Sequence, residues 1–241
     1  MLIQKLPDTL KFHHLNVEYC PQFVEQRLSE GIQFPEFLHR AVLKRRCEFL
    51  AGRACSKRGL LALNHLPILE LKVGEHNQPL WPDGIVGSIS HCVGHAVAVV
   101  GRESVDLVGV GIDIERVVSA DLAQQIGDHL LSKQEQNIAQ TVFNYQQLVT
   151  VVFSAKESIY KAIFPVVNRV LGFESVELVK VNAEKGELVF EFCFELKQTF
   201  NHDITVYYEL WGDELFLTWC CLAERDLCKL NLLGSNNINK A

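Results

Sequence analysis

The chain holds no apolar run approaching the about 18 residues that a membrane-spanning helix needs. Its opening stretch, "MLIQKLPDTLKFHHL", has neither the apolar centre nor the small-residue cleavage site of a secretory signal. A cytoplasmic protein without a membrane span is therefore expected. Eight cysteines occur, at 20, 47, 55, 92, 193, 220, 221 and 228, and none forms a C-x-x-C pair. That argues against a zinc ribbon or a thioredoxin-like motif and leaves reduced, mostly buried thiols. Positive charge is not in surplus either. With 23 Lys and Arg against 29 Asp and Glu the formal charge is −6, so a general nucleic-acid footprint is missing and any polyanion site must be local.

What is present is enough apolar residue, 48% of 241, to bury a substantial core in one large domain or two small ones. Residues 36–63 carry Leu38, Val42, Phe49, Leu50 and Ala54 at helical spacing, with few breakers before Gly59, which predicts one long helix. The loop "NQPLWPDG" then hands over to β-like runs at 85–91, 96–100 and 107–115. The second part repeats that order, a helical stretch at 146–163 before β-like runs at 175–181, 187–194, 204–211 and 214–222, with no clear sequence repeat beneath it. The expectation is an α+β fold of two packed halves, 1–116 and 117–231, with a cleft at their junction and a frayed tail at 232–241.

Within "VGVGIDIE" (108–115), strand alternation puts Asp113 and Glu115 on one side and turns Ile112 and Ile114 into a core. Adjacent carboxylates repel and tolerate burial only beside a cation; their hard oxygens suit Mg²⁺. Glu157, on the helix that opens the second half, is the candidate third ligand. Lys161, four residues on, shares its helical face and could reach an anionic substrate beside the metal. Together these describe a phosphoryl-transfer site, where positioning and charge neutralisation carry most of the catalysis. The plain alternative is a solvated strand end and an exposed Glu–Lys pair worth a few tenths of a kcal/mol.

Arg46, Arg53 and Lys57 share one face of the first helix; Arg40, Lys44, Arg45 and Arg58 add charge around them, against the lone acid Glu48. A solvated face is the ordinary explanation, and a phosphate-rich ligand is the functional one. "GSISHC" (87–92) ends a β-like run with Ser88 and Ser90 on one face and His91 on the other. A lone histidine is more often structural than catalytic, and gains weight only from company.

That company has a family order: "KRRCEFLAGR" (44–53), "QPLWP" (78–82), "GSISHC" (87–92), "VGIDIE" (110–115) and "FSAKESIYKA" (153–162). The chain resembles the 4'-phosphopantetheinyl transferases of the surfactin type, and within them the siderophore, enterobactin-type branch. The resemblance covers about residues 36–165. It implies two similar α+β halves related by a pseudo-twofold, with coenzyme A in the interface cleft. It also implies transfer of the phosphopantetheine arm from coenzyme A to a serine of apo carrier protein domains, releasing adenosine 3',5'-bisphosphate. Asp113, Glu115 and Glu157 would hold Mg²⁺. Arg53 and His91 would grip coenzyme phosphates, with Arg46 and Ser90 beside them, and Lys161 would neutralise the pyrophosphate. Glu157, or water on the metal, would accept the serine proton. Gln78 stands where many members have a lysine, so that phosphate contact is missing; the siderophore branch tends to share the glutamine.

A carrier helix would have to approach the site, and "SADLAQQIGDHLLSKQEQNIAQ" (119–140) offers Leu122, Ile126, Leu130 and Leu131, which core packing explains equally well. The expected protein is a monomer, with a synthase complex as its expected associate. The same chemistry on fatty-acid or polyunsaturated fatty-acid synthase carriers is the close alternative. A noncatalytic coenzyme A-binding module is the distant one, and would be marked by loss of an acidic ligand or of Lys161. A nucleic-acid module on the basic helix would show strong salt dependence.

Overall fold

In a computed structural model describing residues 5–33, 35–64, 71–212 and 214–228, the apolar runs form two antiparallel sheets. The tail expected at 232–241 lies outside the described residues. The smaller sheet holds β1 (Leu10–Asn16), β2 (Ile85–Cys92) and β3 (His95–Arg102) in the order β1-β3-β2. The larger holds β4 (Gly109–Arg116), β5 (Val176–Asn182), β6 (Glu187–Phe192), β7 (Ile204–Trp211) and β8 (Leu215–Leu222) in the order β4-β8-β7-β6-β5. Helices α1 (Pro21–Ser29) and α2 (Leu43–Ala62) serve the first sheet, and α3 (Ala120–Leu130), α4 (Lys133–Ala139) and α5 (Tyr145–Val167) the second. The fold is α+β, as expected, in two helix-on-sheet units of unequal size. No described helix is long and apolar enough to cross a membrane.

Two helix boundaries differ from expectation. The long helix does not begin at 36: Glu36–Arg40 is a 3-10 turn, and Ala41 and Val42 are extended, with ψ of 153° and 151°. Val42 is exposed and β-branched, which suits extended backbone, so Arg40 is off the helix. At the other end, α5 runs past Pro165 and stops at Asn168, whose φ of 44° and N–H to the Phe164 carbonyl close the helix. A proline in a last turn removes one hydrogen bond, too little to end the helix there. β1 and α1 lay outside the sequence reading. Pro21 at the head of α1 was a start signal, while β1 alternates too weakly to declare a face.

The hydrogen bonding joins β4 to the larger sheet. β4 pairs with β8 from Gly109↔Leu222 to Arg116↔Leu215, so the sheets part between Arg102 and Gly109. The cause lies in two glycines. A methyl group on Gly111 would lie 1.7 Å from the Ser158 carbonyl oxygen, and one on Gly109 2.3 Å from that of Ala162. Only backbone without side chain lets α5 lie directly along β4. The seam between the units is the edge of β2 against β4, where Ser88 Oγ accepts from the Ile112 amide at 3.0 Å.

Candidate active site

Helix α5 is fixed on its sheet by the small residues of "FSAKES". Ser154 and Ser158 Oγ lie 2.9 and 2.7 Å from Thr218 Oγ1, and Ser158 also donates to the Thr218 carbonyl at 3.1 Å. Thr218 is the register partner of Asp113, so this stitching sets α5 over the carboxylate strand. Lys161 Nζ then reaches Asp113 Oδ1 at 2.6 Å and the Ile112 carbonyl at 3.2 Å. Ile112 and Ile114 are wholly buried on the opposite face, as alternation required.

Asp113 is itself buried, and Ser90 Oγ donates to the same Oδ1 at 2.6 Å. Its other oxygen, Oδ2, is buried with no hydrogen-bond partner among the described residues. Burial and the neighbouring Asp113 charge push Glu115 up to about 7, with Lys161 opposing. Burial also raises Glu157; Lys161 opposes and Asp113 adds to the rise. These are three carboxylates near enough to disfavour one another's charge.

Among the described residues no group of three His, Cys, Asp or Glu side chains stands at metal-holding spacing. Here the cation beside Asp113 is the Lys161 ammonium, which draws Oδ1 toward α5. In donor type and charge the residues fit a hard divalent ion: carboxylate oxygens, one of them orphaned and buried, and proton affinities of Glu115 and Glu157 raised by burial and by the Asp113 charge.

Beside this cluster opens a cleft of about 240 Å³ lined by Glu157, Tyr160, Lys161 and Phe164 of α5, Gly87 to Ile89 of β2, and residues 76–79 and Trp81 of the preceding loop. A second hollow of about 130 Å³ adjoins it, sharing Asn77, Pro79 and Ile89. Its walls include Arg45, Glu48, Phe49, Arg53 and His91. Through those shared residues they form one groove, with Glu157 and Lys161 at one end and Arg45, Arg53, His91 and Glu48 at the other. Gln78 lies in the first cleft with its side-chain carbonyl accepting the His76 amide at 2.9 Å, so it shapes its own loop.

The basic helix sorts itself. Arg53 is buried with its guanidinium 4.6 Å over the Phe49 ring. Arg45, not Arg46, meets His91, NH1 to Nε2 at 3.0 Å. Lys57 is committed to the Glu30 carbonyl at the end of α1. Ser90 is turned to Asp113 rather than toward the groove wall that Ser88 helps to form. In the stretch 119–140, Leu130 and Leu131 are core, while Leu122 is exposed.

Lys156 is no surface residue. It is 4% exposed, paired with Glu135 at 2.8 Å and donating to the Leu130 carbonyl at 3.0 Å. Helical phase carried that signal: Val149, Val152, Ile159 and Ile163, at intervals of three, four and seven, are all buried. Glu48, the lone acid among the cations of the basic helix, is buried against His91.

The 4'-phosphopantetheinyl transferase N-terminal domain matches residues 34–101, and the 4'-phosphopantetheinyl transferase superfamily matches residues 109–220. The chain is 37% identical over 148 residues to enterobactin synthase component D of Salmonella typhi, covering 61% of this chain and 59% of that protein. With the same-named protein of Salmonella austin it shares 35% over 184 residues, 76% and 75% of the two chains. With 4'-phosphopantetheinyl transferase PptT of Mycobacterium tuberculosis it shares 37% over 140 residues, 58% and 60% of the two. The chain thus spans about three-fifths of the first and third of these relatives. Two successive domain matches and a relative aligned over three-quarters of its length place this chain in the 4'-phosphopantetheinyl transferase superfamily.

Proposed function

We propose that this protein transfers the 4'-phosphopantetheine arm of coenzyme A to a serine hydroxyl of apo carrier protein domains. The observation that carries the reading is the groove itself, with Glu157 and the Asp113-paired Lys161 at one end and Arg45, Arg53 and His91 at the other. A pyrophosphate needs positive charge along its length, and a second phosphate on the same ligand needs it again further along.

Asp113, Glu115 and Glu157 would hold Mg²⁺. When bound, the ion supplies charge neutralisation for the pyrophosphate. The chain's own residues orient and neutralise. Arg53 and His91 anchor phosphate, while Lys161, between the carboxylates and the cleft, meets the negative charge that grows on the departing group. The serine oxygen forms a new bond to the β-phosphorus and the pyrophosphate P–O bond breaks. Adenosine 3',5'-bisphosphate leaves, and the serine proton passes to Glu157 or to water. Glu157 suits that task in one respect: its proton affinity is raised by burial.

The test is mass spectrometry of apo carrier domains incubated with coenzyme A, Mg²⁺ and this protein, which should show addition of one phosphopantetheine. A serine left unmodified on every carrier tried would count decisively against the reading. Glu157→Gln should abolish transfer, by about 10²-fold or more, with an unchanged circular dichroism spectrum. For the pathway, relatives named for enterobactin synthesis favour siderophore carriers of nonribosomal peptide type. Comparing rates on those carriers with rates on fatty-acid synthase carriers decides between them.

A further inference from the structure

Glu48 is the only acid on α2, and it lies 7% exposed in a hollow whose other charged walls are Arg45, Arg53 and His91. A buried carboxylate beside an anion site repels the ligand, so its placement calls for a compensating role. The surrounding contacts supply one. Tyr19 donates its hydroxyl to Glu48 Oε1 at 3.2 Å and accepts the Gly94 amide at 2.9 Å, tying the carboxylate to the β2–β3 turn. The other oxygen, Oε2, faces His91 Nδ1 at 3.8 Å, ion-pair distance though beyond a direct hydrogen bond.

The tautomer of His91 follows from its other nitrogen. A guanidinium only donates, so Nε2, 3.0 Å from Arg45 NH1, accepts, and the ring proton of the neutral imidazole sits on Nδ1, turned toward Glu48. An arriving phosphate oxygen needs the opposite arrangement at Nε2: it must receive a proton there. The ring can donate from Nε2 while keeping its Nδ1 proton only if the resulting positive charge is balanced. Burial opposes that charge most and holds His91 below the usual imidazole range; Glu48 is the strongest influence in its favour, Arg45 and Lys161 oppose it, and Asp113 favours it more weakly.

We propose that Glu48 is a positioning residue: it holds the His91 ring with Nδ1–H toward its own carboxylate and Nε2 toward the groove, and balances the charge when Nε2 donates to a coenzyme phosphate. This rests on the coenzyme A reading above. It makes a prediction opposite in sign to simple repulsion. Were Glu48 only a negative charge near an anion, its removal would tighten binding; as a positioning residue, its removal weakens binding, and only while His91 is present.

The experiment measures the coenzyme A dissociation constant by calorimetry, with KM and kcat for carrier modification, in wild type, Glu48→Gln, His91→Ala and the double variant. Glu48→Gln should raise Kd and KM about tenfold, the scale of one charge-assisted hydrogen bond, with kcat within about twofold. In the His91→Ala background the same change should weaken nothing further. Unchanged or tighter binding in Glu48→Gln, or equal weakening with and without His91, overturns the proposal. Should Glu48→Gln fail to fold, Tyr19→Phe releases the carboxylate more gently. Its effect should have the same sign, be smaller, and vanish without His91; an effect independent of His91 overturns the proposal equally. Wild-type protein that binds no coenzyme A and modifies no carrier sinks the transferase reading instead, so the two failures are distinct.

Discussion

Gly111 and Glu115, four residues apart on one strand, show how much a single position carries. Gly111 has no room for a methyl group, because the obstacle is the rigid Ser158 carbonyl of α5. Gly111→Ala should cost about 3 kcal/mol, at the upper end of overpacking penalties, read as a fall in the urea midpoint with an unchanged slope. Glu115 predicts a pH effect. Its carboxyl ionises at about 7 in the fold against an ordinary value of 4.5, so between those values the folded chain holds more protons than the unfolded one. The associated stability is complete below about 4.5 and is lost as pH rises through about 7. In chelator, the thermal midpoint of wild type should drop by roughly 2–4 °C relative to Glu115→Gln over that window, the group being only partly screened from solvent. Parallel curves for the two proteins would mean that Glu115 ionises normally. The sequence announced both residues, as glycine and carboxylate in "VGVGIDIE", but alternation gave only the face and not the neighbour that makes each one matter.

At the scale of elements, α5 is held from below by hydroxyls and from the side by a buried ion pair. Glu135 closes a capping box on α4 with Ser132, accepts the Leu178 amide at 2.9 Å and meets Lys156, so one carboxylate joins α4, β5 and α5. Lys156→Met leaves that carboxylate buried without its cation and should destabilise by about 3–5 kcal/mol in equilibrium unfolding. A loss near zero would show that Glu135 is satisfied by its amide donors alone. The helix and most of the strands were legible because their periods are strong; β1 was not, because neither of its faces is clearly apolar. Lys156 was legible in principle from helical phase, which places it on the apolar stripe despite its charge.

For the molecule as a whole, the decisive feature is that the groove is built from both units, α2 and β2 of one and α5 of the other, while Asp113, Glu115 and Glu157 all belong to the second. A ligand lying along it bridges the seam. Mg²⁺ and coenzyme A added together at about 100 times their dissociation constants should stabilise the folded chain by about 2.7 kcal/mol or more. The rise in thermal midpoint should be largely lost in Asp113→Asn. Stabilisation of that variant equal to wild type would remove Asp113 from metal binding.

The sequence by itself determined the residue types, the order of helix and strands, and the motifs in which the chemistry sits, because periodicity and local spacing are properties of a segment alone. Which segments are neighbours was settled by folding in three dimensions. It put β4 in the second sheet, turned Ser90 to Asp113 and Lys156 to Glu135, and set Arg45 and Glu48 beside His91. Those choices depend on which long-range contacts satisfy buried polar groups, and a carboxylate finds its partner through the folded chain, 43 residues away for Glu48 and His91, rather than along it.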